Sequence, residues 1–326
     1  MFYDGKNYLT NLHSQKNWMA DNISLIGGKT LGQICIPGSH DSGMSKCVAG
    51  TTMSNCANTQ NHTNSVNKQL ELGVRFFDIR PIIGGGEYHT GHYTKAADLS
   101  WQGSRGQSMA EIISDVNQFT SDAKGELIIL NLSHDLNTDV GNMSYRPFVS
   151  SEWNQLLSML KDEQTGIRNL YRNSKQDVEL TNVTMIDLIG KGSKVMIVIE
   201  AEYYSGIEFD DCFFKFECLK RFDKYADTND FNQMMNDQFE KLKANSQKYF
   251  LLSWTLTLSA WECVIDGIRI PVETILELAN EANRKLWTDL YGKNLANDSC
   301  LKPNIIYMDN IVDSSQVLLC LKITEA

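Results

Sequence analysis

The sequence predicts an α/β protein whose parallel strands close into a barrel. Two observations carry this prediction. Apolar runs of strand length recur along the chain, and most of them end in polar or chargeable residues. Helical patterns or long crossovers separate these runs, which is typical of parallel strands covered on both faces. Six or seven such units favour a barrel over an open sheet. Because no repeat or linker divides the chain, we expect one domain over residues 1–326.

The predicted strands are near-continuous apolar segments, as expected for strands that are buried on both faces. They lie at residues 31–36, 74–79, 126–132, 194–200, 249–254 and 304–309. Helical spacing of apolar residues predicts helices at residues 64–72, 108–123, 151–161 and 271–286. Ser108 and Glu111 form a capping-box pattern at the start of the second helix. Residues 42–64, rich in Gly, Ser, Thr and Asn, predict a long loop over the first strand end, and such loops are usually functional.

Composition and charge argue against some classes of partner. Of the 326 residues, 42% are hydrophobic and 21% charged, which allows a sizeable core. The formal net charge is -10 and the sequence pI is about 5.1. A nucleic-acid binder normally carries a basic face, and no Lys/Arg cluster is visible, so we expect no nucleic-acid partner. The acidic balance also argues against electrostatic adhesion to anionic bilayers. A membrane-surface enzyme would have to use exposed aromatic and aliphatic side chains.

Targeting and redox signals leave the compartment open. No apolar run is as long as a bilayer-spanning helix, and the amino terminus lacks the basic start and apolar stretch of a secretory signal. We expect a protein that is not exported by that route, or one whose signal has been removed. Cys35, Cys263 and Cys320 lie in apolar surroundings and are predicted core residues. Cys47 and Cys56 bracket a polar loop, where a disulfide and two reduced thiols are equally compatible with the sequence.

Chargeable residues follow the first two predicted strands. His40 and Asp41 come shortly after the first strand, and Asp78 and Arg80 end the second, with His92 a short distance beyond. Barrel enzymes keep their catalytic groups at the carboxyl ends of the strands, so we expect these side chains to meet. Two histidines and an arginine without metal-ligand spacing suit acid–base chemistry on a phosphodiester.

Three motifs within residues 31–93 carry a family resemblance. They are Gly38-Ser39-His40-Asp41-Ser42, Gly73-Val74-Arg75-Phe76-Phe77-Asp78-Ile79-Arg80-Pro81 and Thr90-Gly91-His92-Tyr93. In this order and spacing they resemble the X region of phosphatidylinositol-specific phospholipases C, above all the metal-independent bacterial and fungal members. Residues 130–135 and the final strand with Asp309 extend the resemblance more weakly. The second half of the chain matches only by its strand pattern.

The resemblance implies an irregular TIM-type barrel and a phospholipase C-like phosphodiesterase. The implied reaction is attack of the inositol 2-hydroxyl on the adjacent phosphodiester, which releases diacylglycerol and a cyclic inositol phosphate. His40 would be the general base and His92 the general acid. Arg80 would stabilise charge on the phosphate. Asp41 would support the acid, and Asp309 would orient the base.

The chemistry of these residue types fits the implied roles. An ordinary histidine pKa of about 6.5 lets one imidazole start neutral and another start protonated near neutral pH. A paired carboxylate fixes the imidazole tautomer, and arginine presents a planar fork of donors to a phosphate. His92 is favoured over His89 because it lies twelve residues after Arg80, close to the family spacing. Asp78 would face the same side of the strand as Arg80, as a site residue, which we favour, or as an ion-pair partner of Arg75 or Arg80.

Four further residues are candidates for contact with the substrate. They are His134, Glu200, Tyr203 and Trp254. The first follows a predicted strand, where lining of the pocket and simple strand-end capping are equally compatible with its position. The other three follow or end later strands and could contact a sugar ring, although a core or rim position is the commoner role of aromatic residues. His13 and His62 are interpreted as ordinary surface or core histidines.

No metal is expected at the site. In calcium-requiring relatives the second strand presents acidic residues that bind the cation, and here Arg80 stands where one of those carboxylates would be. A guanidinium already supplies positive charge and would repel a cation. We therefore expect no cofactor, a phosphatidylinositol-type lipid as substrate, transient contact with a membrane surface, and a monomer.

Two other functions stay open from the sequence. One is a related barrel phosphodiesterase that acts on another glycerophospholipid or a sphingolipid, although such relatives generally use a carboxylate-bound metal. The other is a catalytically inactive barrel that binds inositol lipids. Turnover of phosphatidylinositol separates the first hypothesis from both alternatives.

Overall fold

The fold is built around a curled parallel sheet with helices on its outer face. The computed structural model describes residues 15–95, 100–175, 177–258, 273–298 and 301–326. The strands in these residues are β1 (Ile36–Ser39), β2 (Phe76–Ile79), β3 (Pro81–Gly84), β4 (Glu87–Lys95), β5 (Trp101–Ser108), β6 (Leu127–Leu132), β7 (Leu136–Asn137), β8 (Lys194–Ile199), β9 (Phe213–Lys215), β10 (Arg221–Phe222), β11 (Tyr249–Trp254) and β12 (Ile305–Met308). The α-helices are α1 (Trp18–Asp21), α2 (Ile23–Ile26), α3 (Cys56–Thr59), α4 (Val66–Glu71), α5 (Met109–Asp122), α6 (Ser150–Lys161), α7 (Met185–Ile189), α8 (Phe231–Ala244), α9 (Ile275–Arg284) and α10 (Ser315–Glu325).

The main sheet has eight strands in the order β10-β11-β12-β1-β2-β6-β8-β9, and every neighbouring pair is parallel. The last strand, β12, lies between β11 and β1, so both halves of the chain contribute to one sheet. The outer strands β9 and β10 are separated in the chain by a short 3-10 turn at Phe216–Cys218. Within the described ranges no hydrogen-bonded ladder joins them. The sheet is thus an incompletely closed barrel, which confirms the predicted irregular α/β barrel.

A second sheet, which the sequence patterns do not predict, carries part of the candidate site. Its four strands have the order β5-β4-β3-β7. The strand β4 is antiparallel to both of its neighbours, β3 and β5. The turn between β3 and β4 places Gly85 and Gly86 at φ values of 68° and 80°, where side chains are disfavoured. This hairpin carries His92, on β4, back to the carboxyl end of the main sheet.

Alternate residues of the main strands pack into two apolar clusters on opposite faces of the sheet. Phe77 and Leu130 belong to the outer cluster, which includes the buried stripe of α5. Phe76 and Ile129 belong to the inner cluster, which also contains Trp18 of α1. Both faces of the strands are therefore covered by apolar side chains, which explains why their sequences are continuously apolar.

An ion pair near the amino ends of β2 and β6 is fully buried. Arg75 Nη2 lies 2.7 Å from Glu126 Oε2, and both side chains are 0% exposed. The guanidinium also donates to four backbone carbonyls, and the carboxylate accepts two backbone N–H groups of α1. Arg75 is thus a structural residue. Because it pairs with Glu126, the ion-pair partner of Asp78 is Arg80 and not Arg75.

Most of the predicted elements are present. The later strand predictions are confirmed by β2, β6, β8, β11 and β12, and the helix predictions by α4, α5, α6 and α9. The first strand differs, because Leu31–Gln33 form a 3-10 turn and β1 begins at Ile36. The Gln33 side chain accepts from the Thr30 backbone N–H at 2.9 Å and so stabilises the turn over an extended chain. None of the helices in the described residues is long and apolar enough to cross a membrane.

Candidate functional site

Six of the predicted site residues meet at one end of the main sheet. They are His40, Asp41, Asp78, Arg80, His92 and Asp309. Because β12, β1 and β2 are adjacent and parallel, the residues at and just after their carboxyl ends face one another. These strand ends supply five of the six residues, and β4 of the antiparallel hairpin supplies the sixth, His92.

The first histidine, His40, is paired with a buried carboxylate. Its Nδ1 lies 2.9 Å from Asp309 Oδ1, and the Asp309 side chain is 3% exposed. An ionised carboxylate only accepts hydrogen bonds, so Nδ1 carries the proton and Nε2 is the basic atom of the neutral ring. Burial opposes protonation of His40, but the Asp309 carboxylate outweighs it, and the pKa of His40 lies above its ordinary 6.5.

The second histidine, His92, is paired with a different carboxylate. Its Nδ1 lies 2.8 Å from Asp41 Oδ2, and the Asp41 side chain is fully buried. Burial alone would raise the pKa of Asp41, but the charges of Arg80 and His92 hold it below the ordinary 3.8. Asp41 is therefore ionised at neutral pH, and it holds the proton of His92 on Nδ1.

Arg80 connects these two pairs. Its Nη2 lies 2.8 Å from His40 Nε2, and its Nη1 lies 3.4 Å from Asp41 Oδ2. Its Nε donates to Asp78 Oδ2 at 2.9 Å. Burial would raise the pKa of Asp78, but Arg80 outweighs it and lowers that pKa far below its usual range. Asp78 is thus both an ion-pair partner of Arg80 and a residue of the cluster.

Two residues that the sequence reasoning missed belong to this cluster. The Tyr307 hydroxyl donates to Asp78 Oδ2 at 2.6 Å, and Asn61 contacts both His92 and Asp309. Tyr307 lies two residues before Asp309, on the same face of the strand, so the two-residue period of strands is a signal that could have pointed to it. For Asn61 the only signal is its position in the long loop at residues 42–64.

Two candidate substrate contacts, His134 and Glu200, lie beside the cluster. Ser133 Oγ contacts His134 Nδ1 at 2.9 Å and donates to Asp78 at 2.7 Å. The nearby positive charge of Arg80, together with burial, lowers the pKa of His134 to about 4, so this histidine is neutral near pH 7. Glu200 follows β8 and accepts from Arg221 Nη2 at 3.0 Å.

The prediction that Trp254 contacts a substrate is wrong. Its side chain is 1% exposed, and it packs edge-on against Phe231. Its Nε1–H donates to the carbonyl of Ala282 on α9 at 2.9 Å, so its polar atom is already satisfied within the core. Tyr203, in contrast, is 74% exposed on the segment after β8, without a contact to the six clustered residues among those described.

His62 is a core residue, as interpreted from the sequence. It is fully buried, and its Nε2 lies 2.6 Å from the carbonyl oxygen of His40 and 3.2 Å from Ser39 Oγ. Its Nδ1 is buried without a partner in the described structure. Burial lowers the pKa of His62, which keeps the ring neutral. His13 lies outside the described residues.

The cysteines divide as follows. Cys47 and Cys56 form a disulfide, which resolves the alternatives that the sequence left open. It closes the loop that precedes Asn61. Cys35 and Cys320 are buried free thiols, as predicted, whereas Cys263 lies outside the described residues.

Comparisons with known proteins agree with the motif resemblance. No protein-family model matches the chain. A PI-PLC X-box domain-containing protein from Dictyostelium discoideum is 27% identical over 131 residues, which are 36% of this chain and 16% of that protein. The match thus spans less than a fifth of that relative's length.

Solved structures resemble the chain over nearly its whole length. The phosphatidylinositol-specific phospholipase C from Listeria monocytogenes has a TM-score of 0.62 at 18% identity, covering 95% of this chain and 98% of that one. A variant of the corresponding enzyme from Staphylococcus aureus gives 0.62 at 17% identity, with 94% and 96% covered. A further structure of the Staphylococcus aureus enzyme, on modulation of its membrane binding, gives 0.59 at 17% identity, with 91% of each chain covered. These comparisons confirm the resemblance to phosphatidylinositol-specific phospholipases C and establish the fold.

Proposed function

We propose that this protein is a metal-independent phosphodiesterase that cleaves phosphatidylinositol to diacylglycerol and a cyclic inositol phosphate. The observation that carries the proposal is a pair of histidines, each with its own buried carboxylate, connected by one arginine. Nδ1 of His40 is 2.9 Å from Asp309 and Nδ1 of His92 is 2.8 Å from Asp41. Arg80 contacts both pairs. This set supplies a base, an acid and a cationic phosphate ligand at one place.

His40 is the proposed general base. Its Nε2 takes the proton of the inositol 2-hydroxyl, while Asp309 stabilises the resulting imidazolium. The hydroxyl oxygen forms the new bond to phosphorus, and the bond from phosphorus to the glycerol oxygen breaks. Because the nucleophile belongs to the substrate, no covalent enzyme intermediate is needed and positioning supplies much of the rate.

His92 is the proposed general acid. Its Nε2–H donates the proton that the departing glycerol oxygen requires, so diacylglycerol leaves as a neutral alcohol. The buried Asp41 carboxylate, whose pKa is lowered by Arg80 and His92, stabilises the imidazolium before transfer. At the end of the step His40 is protonated, because it has taken the proton of the 2-hydroxyl, and His92 is neutral, because it has given its proton to diacylglycerol.

Arg80 is the proposed ligand of the phosphate. In the free protein its Nη2 donates to His40 Nε2 at 2.8 Å. A phosphate oxygen is a stronger, charged acceptor, so a bound phosphodiester would take this N–H and free the basic nitrogen. The contacts of Nε with Asp78 and Nη1 with Asp41 would keep the guanidinium plane oriented.

A resident cation is not part of the proposal. The two carboxylates that would be its nearest ligands, Asp41 and Asp78, both accept from Arg80. In the part of the chain that the structure describes, no group of three or more His, Cys, Asp or Glu residues could hold a metal ion. Turnover is therefore expected to persist in excess chelator, and a complete loss that calcium reverses would refute this part of the proposal.

The proposed contacts of the inositol ring lie on the side of the site facing β8 and β10. Arg221 is 3% exposed and donates to Glu200, whose side chain is 34% exposed and able to accept from a sugar hydroxyl. Tyr203 and Tyr225, after β8 and β10, are 74% and 62% exposed and offer aromatic faces to a sugar ring. The neutral imidazole of His134 offers a further donor or acceptor beside Asp78.

Contact with a membrane surface is proposed through apolar side chains around the same end of the barrel. Val48 follows β1, Met143 follows β7 and Val312 follows β12, and they are 51%, 62% and 54% exposed. Apolar insertion suits a chain whose net charge is -10, because such a chain gains little from anionic lipid headgroups.

The test is phosphorus NMR of the purified protein with phosphatidylinositol micelles in EDTA. We expect the resonance of a cyclic inositol phosphate to appear, and we expect His92→Ala to abolish most of it, since general acid catalysis supplies roughly 10²- to 10⁴-fold in rate. Phosphatidylcholine and sphingomyelin micelles are the parallel substrates. Cleavage of those lipids but not of phosphatidylinositol would show that the protein acts on a different phosphodiester. Binding of phosphatidylinositol without product, with or without calcium, would indicate an inactive lipid-binding barrel.

A further inference from the structure

Asn61 connects the two histidine–carboxylate pairs through its side-chain amide. Nδ2 donates to Asp309 Oδ1 at 2.9 Å, and Oδ1 lies 3.0 Å from His92 Nδ1. The Nδ2 atom is also 3.4 Å from His40 Nδ1. The residue is 1% exposed, so these contacts are shielded from water. One amide group therefore touches both halves of the proposed proton-transfer machinery.

The chemistry of its neighbours fixes the orientation of this amide. Asp309 is a carboxylate and only accepts, so the NH₂ group of Asn61 must face it. The amide oxygen then faces His92, and it requires a proton on Nδ1 of that ring. Asp41, whose Oδ2 lies 2.8 Å from the same nitrogen, also requires a proton on Nδ1. Both acceptors leave Nε2 of His92 as the atom that exchanges a proton.

The backbone around Asn61 is held from two sides. Its N–H donates to the carbonyl of Met44 at 3.1 Å, and its carbonyl accepts from the N–H of Asn310 at 2.9 Å. Met44 follows β1 and Asn310 follows β12, the two strands whose ends carry His40 and Asp309. The amide is thus anchored to the scaffold that positions the first pair, while its oxygen reaches the second.

We propose that Asn61 is a positioning residue that holds the His92 ring in a fixed place relative to the His40–Asp309 pair. The inference rests on the proposed function, because its purpose is to present both Nε2 atoms to one phosphodiester. Without the side chain each imidazole keeps its own carboxylate, but the connection between the pairs is lost. A small misplacement of catalytic groups costs on the order of 10²-fold in rate.

The matched variants are Asn61→Ala and Asn64→Ala. Asn64 lies in the same loop and its Nδ2 donates to the carbonyl of Ile311 at 2.9 Å, so its replacement removes an amide hydrogen bond of the same kind without touching either pair. We expect Asn61→Ala to lower kcat on phosphatidylinositol by roughly 100-fold with little change in KM, and Asn64→Ala to stay within a few-fold of the parent.

A substrate with a good leaving group distinguishes a misplaced His92 from a general structural defect of the variant. A 4-nitrophenyl ester of inositol phosphate needs no general acid, so the part of the defect that acts through His92 disappears with it. The loss in Asn61→Ala is therefore expected to be smaller on the nitrophenyl ester than on phosphatidylinositol. Equal losses on both substrates, or equal losses in the two variants, would overturn the proposal.

Proton NMR tests the connection without turnover. The Nδ1–H protons of His40 and His92 are hydrogen-bonded to carboxylates, and both resonances should move in Asn61→Ala and neither in Asn64→Ala. If both move but the parent cleaves no phosphatidylinositol, the proposed function fails and the connection stands. If the parent cleaves it and neither resonance moves, the positioning role fails alone.

A second variant covers the case in which Asn61→Ala does not fold. Asn61→Asp keeps the shape and an acceptor for His92, but it sets a second carboxyl group against Asp309, and two buried carboxyl groups in contact cannot both be ionised. We expect its His40 resonance to move more than its His92 resonance, together with a loss of kcat. A variant with unchanged resonances and parental kcat would overturn the proposal.

Discussion

Nη2 of Arg80 lies 2.8 Å from Nε2 of His40, so the proposed phosphate ligand covers the proposed base in the free protein. A guanidinium only donates, and the contact therefore requires a neutral His40 with its lone pair on Nε2. Protonation of His40 would place two cations against each other. The same arginine thus favours the base form of the histidine before substrate binds, while Asp309 favours the protonated form afterwards.

This opposition gives a prediction about pH. The positive charge of Arg80 lowers the pKa of His40, although Asp309 outweighs it and the net pKa is above 6.5. Because His40 must be neutral to act as a base, kcat/KM should rise with pH through a midpoint above 6.5. In Arg80→Gln the opposing charge is gone, so the pKa of His40 rises and the midpoint moves to higher pH. Turnover should also fall by roughly 10²- to 10³-fold through loss of the phosphate ligand.

Arg80→Lys is the control for that prediction, because it keeps the charge and loses the planar fork. We expect it to lose turnover as well, but to keep the midpoint near that of the parent. The measurement is the pH profile of kcat/KM on phosphatidylinositol for all three proteins. A midpoint in Arg80→Gln that coincides with the parental one would contradict the charge argument.

The buried His62 gives a prediction about stability. Burial lowers its pKa in the folded state, so above pH 6.5 the ring is neutral in both the folded and the unfolded chain. As the pH falls below 6.5 the unfolded chain takes up a proton first, and the free energy of unfolding falls. In His62→Gln this contribution is absent. Urea unfolding at pH 7.5 and pH 5.5 should therefore show a smaller decrease for His62→Gln than for the parent, and an equal decrease would argue against a neutral buried ring.

The disulfide between Cys47 and Cys56 should stabilise the loop that leads to Asn61. The two cysteines are nine residues apart, and closing a loop of that length stabilises a fold by about 2–3 kcal/mol through the unfolded chain. A reductant is expected to lower Tm of the parent, whereas the double variant Cys47→Ala/Cys56→Ala should begin at the lower Tm and not respond. If the parent and the double variant melt alike without reductant, the disulfide contributes nothing measurable.

The fold could be predicted from the sequence where burial on both faces leaves a continuous apolar run. That is the case for β6 and β8, which the sequence places correctly to within a residue at each end. The antiparallel hairpin of β3 and β4 was not predicted, because its strands are short or partly exposed and contain Gly, Thr and His in place of an apolar run. The start of β1 was misplaced, since a side-chain cap at Thr30 overrides the local strand preference.

The site could be predicted where one motif places chargeable residues at a strand end. His40, Asp41, Asp78 and Arg80 are of this kind, and the structure brings them together. Asn61 could not be found this way, because its role depends on a loop whose path the pattern does not specify. Trp254 was misassigned because the last residue of a strand can point either to the site or into the core, and the sequence does not distinguish these positions. The hydrogen bond to Ala282 on α9 shows that this side chain lies in the core.

The buried pair of Arg75 and Glu126 gives a prediction about folding that leaves the site untouched. Both side chains are fully buried, and burial raises the pKa of Glu126 although Arg75 opposes the rise. Glu126→Gln would leave the guanidinium of Arg75 buried without a counter-charge, which typically costs about 3–5 kcal/mol. The double variant Arg75→Met/Glu126→Met removes both charges and should cost less than Glu126→Gln alone, although it gives up the backbone contacts of both groups. Urea unfolding of the parent, Glu126→Gln and the double variant measures the three free energies.

The pair lies at the amino ends of the strands, away from the site. The kcat of the folded fraction of each variant is therefore expected to stay within a few-fold of the parent. A Glu126→Gln protein as stable as the parent would contradict the prediction, because it would show that the backbone carbonyls alone compensate the charge of Arg75.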